Sequence, residues 1–457
     1  MLDLLFWLSL LYWSLTPATK TPWIDIASIP INSKDIVLVV LSCICLLWAV
    51  IKNPDDADSR SKGWHCYLPM LTVFLLLYAW FTMIFYSHII PPEGMGDINY
   101  MEDRVTISMR FTLIFTGASF FIAYILIARK SAESVHLFLW RLTIGLAAIG
   151  MLYTLATIAG TEIEGVRTEM NAAQNAYGIL RVVGPLFGAS TGYFILVPAL
   201  AFSVQEFYRS QTQRLFKLGI IFALMLTTIG LASRAALLIL GIFFIFLSFS
   251  MKNKKQAIAT VVLLAIVISA AASIFFSQAS SDRLKSFEDS ARFDTYRISS
   301  QIMGYRDPEF NIVGSGYGSY WPWYLADLEN DINSYIPMFK TRFGKVLYHP
   351  HSVVLILVVE LGIFGMLYFL CLWIILGRLL VHNLKSAAFP IFNCGVVASG
   401  FSVFFDLFLF KGPQISLLWW IYLFGALSLN SSISLSKLQD IQQITLTKID
   451  RRQQCQD

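Results

Sequence analysis

The sequence predicts an all-α, polytopic membrane protein of about twelve transmembrane helices, with a large external loop before the tenth. Three observations predict it. Apolar residues make up 56% of the 457 positions and charged residues only 14%, a balance foreign to a soluble chain of this length. Apolar runs of roughly 16 to 24 residues recur along the chain, and at about 1.5 Å per residue each can cross a hydrocarbon core of about 30 Å. Lysine and arginine gather in alternate short loops, as they do when alternate loops face the cytoplasm.

The runs lie at 2–16, 36–51, 67–87, 111–128, 138–160, 186–204, 215–232, 235–250, 256–277, 352–377, 388–410 and 413–428. The first has neither a basic n-region nor a small-residue cleavage site, so it reads as a retained helix and not a cleaved signal. The inner loops then hold Lys52, Arg60 and Lys62; Arg129 and Lys130; Arg209, Arg214 and Lys217; Lys252, Lys254 and Lys255; and Arg378 and Lys385. The tail adds Lys437, Lys448, Arg451 and Arg452. Both termini are therefore expected in the cytoplasm. The division is 1–278 for the first nine helices, 279–350 for the external loop, 351–429 for the last three helices and 430–457 for a polar cytoplasmic tail.

The net charge of +5 follows from this loop bias and calls for no nucleic-acid partner. Cys43, Cys45, Cys371 and Cys394 fall in spans, and Cys66 and Cys455 on the inner side, so no external disulfide is expected. No CxxC spacing suggests a metal. The two halves show no inverted repeat, which counts against a secondary transporter.

The external loop is too long for a connector and is expected to carry function. Leu284, Phe287, Ala291, Ile298 and Ile302 recur at helical spacing, as do Leu325, Leu328, Ile332, Tyr335 and Phe339, which fits amphipathic helices at the membrane surface. Between them, NIVGSGYGSYWPWY offers Gly314, Gly316 and Gly318 with Trp321 and Trp323. This is either a turn with an interfacial aromatic anchor or a loop closing over a sugar or phosphate.

Charge near hydrocarbon is expected where it is paired or used. Arg181 opens the sixth span, Arg234 lies in a tight turn between the seventh and eighth, and His349 and His351 open the tenth. Each alone reads as a snorkelling or interfacial residue, as Arg141 does at the inner side. Together, at one level and on one side, Arg181, Arg234 and His351 outline a site for an anion. In an unbroken helix Glu360 would lie on the face opposite His351 and about 13 Å deeper, giving it a structural role, with Gly362 and Gly365 serving close packing. Asp406 reads equally as a counter-charge for an arginine or Lys411, or as a catalytic acid.

These motifs resemble the O-antigen ligase and O-antigen polymerase superfamily. The resemblance runs from about 178 to 366 and rests on an ordered set: Arg181 with Gly184 and Phe187; Ser233, Arg234 and Ala235; Arg292 with Tyr296; Pro308 before Gly314, Gly316 and Gly318; and His351 with Glu360, Gly362 and Gly365. Ala189 and Ser190 stand where the family often has Pro-Asn, Ser352 where it often has Asn, and Tyr296 where tryptophan is usual.

The resemblance implies transfer of a glycan from an undecaprenyl-diphosphate carrier on the periplasmic face of the bacterial inner membrane, with no nucleotide sugar, metal or cofactor. The acceptor it implies is a second glycan or a lipopolysaccharide core. Arg181, Arg234 and Arg292 would hold the diphosphate, since guanidinium forks match phosphate oxygens. His351 would act as general base or hydrogen-bond the diphosphate. Tyr296, Gly316, Trp321, Trp323 and His349 would line the substrate site. The loop offers no paired carboxylates of the glycosidase kind, which favours a single displacement. Ligase and polymerase stay open, as does a transporter or flippase for an anionic lipid or solute.

Overall fold

A computed structural model describes residues 1–16, 23–26, 29–51, 64–85, 98–128, 130–160, 181–186, 191–250, scattered positions from 255 to 303, then 308–317, 340–341, 344–345, 352–385, 389–405, 409 and 412–430. Its elements are α1 (Leu2–Leu15), a hairpin of β1 (Trp23–Ile26) and β2 (Ile29–Asn32), α2 (Ser33–Ile51), α3 (Trp64–Phe85), α4 (Ile98–Ala128), α5 (Ala132–Ile158), α6 (Tyr193–Arg209), α7 (Arg214–Gly230) and α8 (Arg234–Ser250). There follow α9 (Pro308–Val313), a second small hairpin of β3 (Lys340–Thr341) and β4 (Gly344–Lys345), the short α10 (Val353–Leu355) continued by a π-helical turn (Ile356–Glu360), α11 (Leu361–Lys385), α12 (Pro390–Gly400) with a 3-10 turn to Phe404, and α13 over 413–430.

The architecture is helical, as expected, with two small antiparallel hairpins in the connections. Among the described residues four helices are long and apolar enough to cross a membrane, within Ser33–Ile51, Tyr67–Phe85, Ala132–Ile158 and Val353–Val381, and several shorter apolar helices accompany them. Their outward faces are apolar too: α1 exposes Leu4, Leu8, Leu11 and Leu15 while burying Phe6, Leu10 and Trp13. A helix apolar on both faces suits lipid on one side and protein on the other.

The centre of the bundle is α6, buried along most of its length, with α12 along one side and α5, α7 and α8 around it. The α13 helix joins through Tyr422, whose hydroxyl bonds Thr143 at 3.1 Å, and through Trp419, whose indole N–H donates to Ser399 Oγ at 2.9 Å. Asn430 Nδ2 closes its far end on Asn393 Oδ1 at 3.0 Å.

The side-chain bonds sort the helix ends into two groups. At one end Lys130 pairs with Asp3 at 2.7 Å, and His136 Nε2 meets the buried Glu206 at 2.7 Å. There too Lys217 Nζ donates to the Glu206 carbonyl at 3.0 Å, and Arg209 lies over the Phe389 ring. At the other end meet the close of α1, the start of α2, the last turns of α5 and α7, the start of α8 and the segment 181–186. Lys130, Arg209, Arg214 and Lys217 thus share the end opposite Arg181 and Arg234.

Two expected spans differ from continuous helices. The sixth was expected to start at residue 186, yet α6 begins at Tyr193 and residues 181–186 are non-helical. The tenth was expected to run unbroken from 352. Instead it is interrupted at Gly362, at φ 56° and ψ −139°, and a Cβ on Gly365 would sit 1.9 Å from the Leu357 carbonyl oxygen. The turn over Ile356–Glu360 is π-helical rather than α-helical, and His351, from which Glu360 was set apart, lies outside the described residues.

The cause of the break is a neighbouring backbone. Residues 312–316 pass against the interruption, where Ser315 N–H donates to Val359 O at 3.1 Å and Gly316 N–H to Glu360 O at 3.0 Å. Gly314, at φ 91°, has no room for a Cβ, which would lie 2.2 Å from Glu360 O. Tyr78 of α3 ties the same segment by donating to Val313 O at 2.5 Å. Tyr317 is buried beside Glu360, and burial first, then that carboxylate, push its phenol above the ordinary range.

Gly362→Ala is expected to destabilise the protein by roughly 1–3 kcal/mol or more, because it adds left-handed strain to a backbone clash. Gly241→Ala, where nothing lies within 4 Å of the added carbon, should be neutral or slightly stabilising. Thermal unfolding of both variants in one detergent checks the contrast.

Candidate anion-binding site

Arg181 belongs to the described segment 181–186, which makes no helix, so each main-chain group there needs an outside partner. Val182 N–H donates to Gly230 O at 2.7 Å. Lys34 Nζ donates to Pro185 O at 3.1 Å. Leu186 N–H donates to the Tyr153 hydroxyl at 3.3 Å, and that hydroxyl donates onward to Ser14 O at 2.6 Å. Gly184 lies against the Tyr153 ring so closely that a Cβ would sit 2.0 Å from it. Groups from α2, α5 and α7 therefore hold one short piece of chain, with α1 behind them through Ser14.

The bond from Val182 to Gly230 also places Arg181 beside the turn that leads to Arg234. Gly230 ends α7, and Leu231, Ala232 and Ser233 carry the chain to Arg234, the first residue of α8. The turn is tight and buried, with Leu231 at 0% and Ala232 at 8% exposure. Ala232 adopts φ 48°, a left-handed conformation that costs an L-residue roughly 1–2 kcal/mol. Its amide donates to Ile229 O at 2.9 Å, and Leu231 N–H to Thr227 O at 3.0 Å. The two arginines belong to separately anchored backbones joined by a hydrogen bond at one end of the bundle.

Tyr296 forms a second junction at the end of α12. Its hydroxyl lies 2.6 Å from Ser352 Oγ and donates to Phe404 O at 2.8 Å. Ser352 also caps α10, accepting from Leu355 N–H at 3.4 Å. The residue after His351 is thus fixed against the end of α12. Gly316 is buried, with its amide committed to Glu360 O rather than presented to a ligand. His351, His349, Arg292, Trp321 and Trp323 lie outside the described residues, as do Asp406, Lys411, Phe187 and Ser190.

Lys34 and Tyr153 escaped the sequence reading. Lys34 stands just ahead of an apolar run and looks like any helix-end lysine; only its 7% exposure and its carbonyl partners set it apart. Tyr153 sits in a span among apolar residues, and no sequence signal marks its contact with Gly184.

Geometry and composition define a class: a helical, polytopic membrane protein with one arginine on non-regular backbone and another at a helix start, both at one end of its bundle. A family model described as O-antigen ligase matches residues 218–370, and over that stretch the chain's resemblance to the O-antigen ligase and polymerase superfamily holds. The match includes Arg234, Tyr296, Gly316, His351 and the broken tenth span, and begins after Arg181. Among curated proteins none matches the chain.

Tyr153→Phe is expected to leave the Leu186 amide and the Ser14 carbonyl without their partner, at a cost of about 1–3 kcal/mol. Gly184→Val should cost more, since its side chain must displace an aromatic ring. Thermal melting of the purified variants, read alongside Thr212→Ala at an exposed turn, measures both effects.

Proposed function

We propose that this protein is an inner-membrane glycosyltransferase. It moves a glycan from an undecaprenyl-diphosphate carrier to an acceptor on the periplasmic face, by direct displacement without a metal. The observation that carries the reading is the main-chain bond between the Arg181 segment and the Arg234 turn, in a chain matched by the O-antigen ligase model.

The chemistry follows from the leaving group. As the glycosidic bond breaks, negative charge grows on a diphosphate, and guanidinium groups fixed beforehand stabilise it without reorganising. Arg181 and Arg234 take that role, with Arg292 from the loop. The acceptor hydroxyl loses a proton as it attacks the anomeric carbon, and neutral His351 accepts it. Tyr296 holds the entry to the tenth span through Ser352. Trp321, Trp323 and His349 contribute from the loop to the substrate side, whereas Gly316 packs on the broken tenth span. A clamp drawn from three helices favours a fixed surface for an anion over the rearranging path of a transporter or flippase.

Purified protein in lipid nanodiscs, supplied with a lipid-diphosphate-linked glycan, tests this. Arg181→Ala, Arg234→Ala and His351→Ala should each lower turnover by about 100-fold or more with normal membrane levels, and His349→Ala less. Lysine at 181 or 234 should remain poor, because a point charge lacks the fork. Full activity in all three alanine variants removes the assignment. The product separates a polymerase, which lengthens a lipid-linked glycan, from a ligase, which modifies a lipopolysaccharide core.

Sidedness has its own check. Alkaline phosphatase fused after Gly160 should be active, and fused after Thr212 inactive; the reverse pattern would place the arginines in the cytoplasm.

A further inference from the structure

We infer that Lys34 is a positioning residue for the anion site: its ammonium holds the Pro185 carbonyl and thereby fixes the non-helical segment that carries Arg181. The inference rests on the glycan-transfer reading for its consequence in catalysis, but its structural half stands on geometry alone.

Lysine is seldom buried, because the ammonium loses its hydration. Here Lys34 is 7% exposed in the first turn of an apolar helix. Nζ donates to main-chain carbonyls, Pro185 O at 3.1 Å and Trp13 O at 3.4 Å. In return, Trp13 Nε1 donates to Lys34 O at 3.2 Å. The adjacent Asp35 has its own contact, accepting from Gln414 Nε2 at 2.9 Å.

Pro185 has no N–H, so its carbonyl is the only main-chain group through which hydrogen bonding can grip it. Val182 and Leu186 supply the other two grips, on Gly230 and Tyr153. A lysine suits the task because one ammonium has three donors and here bridges the end of α1 to the 181–186 segment. Arg181 lies four residues before Pro185 and directly before the first of these grips, and slack at Pro185 would shift its guanidinium relative to Arg234. Lys34 therefore acts through Arg181 and touches no reacting atom.

Hydrogen exchange of the full-length protein in nanodiscs tests the structural half. Lys34→Met, which keeps an unbranched side chain and removes the donors, should speed exchange of a peptide covering 181–186 by about 10-fold or more. Peptides from α6 and α12 should be unchanged, and Lys34→Arg should restore much of the protection. Unchanged exchange at 181–186 in Lys34→Met overturns the inference whether or not the protein transfers glycan. If Lys34→Met does not accumulate, Lys34→Gln serves: its shorter side chain withdraws the donor from Pro185, and the same comparison decides.

The catalytic half is read by kinetics with the lipid-linked donor. Lys34→Met should impair donor use, as higher KM or lower kcat, by on the order of 10- to 100-fold, with acceptor KM unchanged. In an Arg181→Ala background the same substitution should add little, since coupled residues are non-additive. Fully additive losses would reduce Lys34 to a general stabiliser and overturn the inference. Absence of transfer by the wild-type protein would remove the proposed function alone, leaving the exchange result to decide on Lys34.

Discussion

Inside a bilayer the main chain has no water to bond, so every departure from the helix needs a protein partner for each N–H and C=O it frees. That constraint organises this molecule. The chain leaves the helix at 181–186 and again around Gly362, and in both places a group brought by distant sequence closes the gap. At 181–186 the partners come from α2, α5 and α7. At the broken tenth span they come from the segment that follows α9, whose Ser315 and Gly316 amides reach Val359 and Glu360.

These two closures differ in what they hold. The first fixes the backbone of Arg181 and joins it to the turn before Arg234, where guanidinium charge is concentrated. The second is a meeting of two backbones that glycine alone permits, at Gly314 and Gly362, and it lies at the far end of the turns that begin at Val353, two residues after His351. Ser352, held by Tyr296 and the end of α12, joins the second closure to the central bundle. Charged groups at the opposite end meet one another as ion pairs instead, such as Lys130 with Asp3. Exposed pairs of that kind contribute little stability; their placement speaks to orientation.

The bounds of α2, α3, α7, α8 and α13 were legible because a helix in lipid must be apolar nearly throughout, and composition reports that directly. The basic loops were legible for the same reason: a charge that hydrocarbon excludes must appear between the runs. Glu360 was legible as an intramembrane acid, but its surroundings were not, since the reading assumed a straight helix and a π-turn with a glycine break leaves no apolar signature. The late start of α6 was hidden likewise, because LRVVGPLFGAS is as apolar as a helix.

Sequence alone determined the class of protein, the shared end of Arg181 and Arg234, and a family resemblance over a stretch that the O-antigen ligase model matches in part, at 218–370. Those properties are local, set by hydropathy and by the residues themselves. Tertiary structure decided that Val182 meets Gly230, that Lys34 reaches Pro185 across 151 positions, and that Gly314 lies on Gly362. Such contacts follow from which unsatisfied main-chain groups face each other after packing, and no local pattern encodes that pairing.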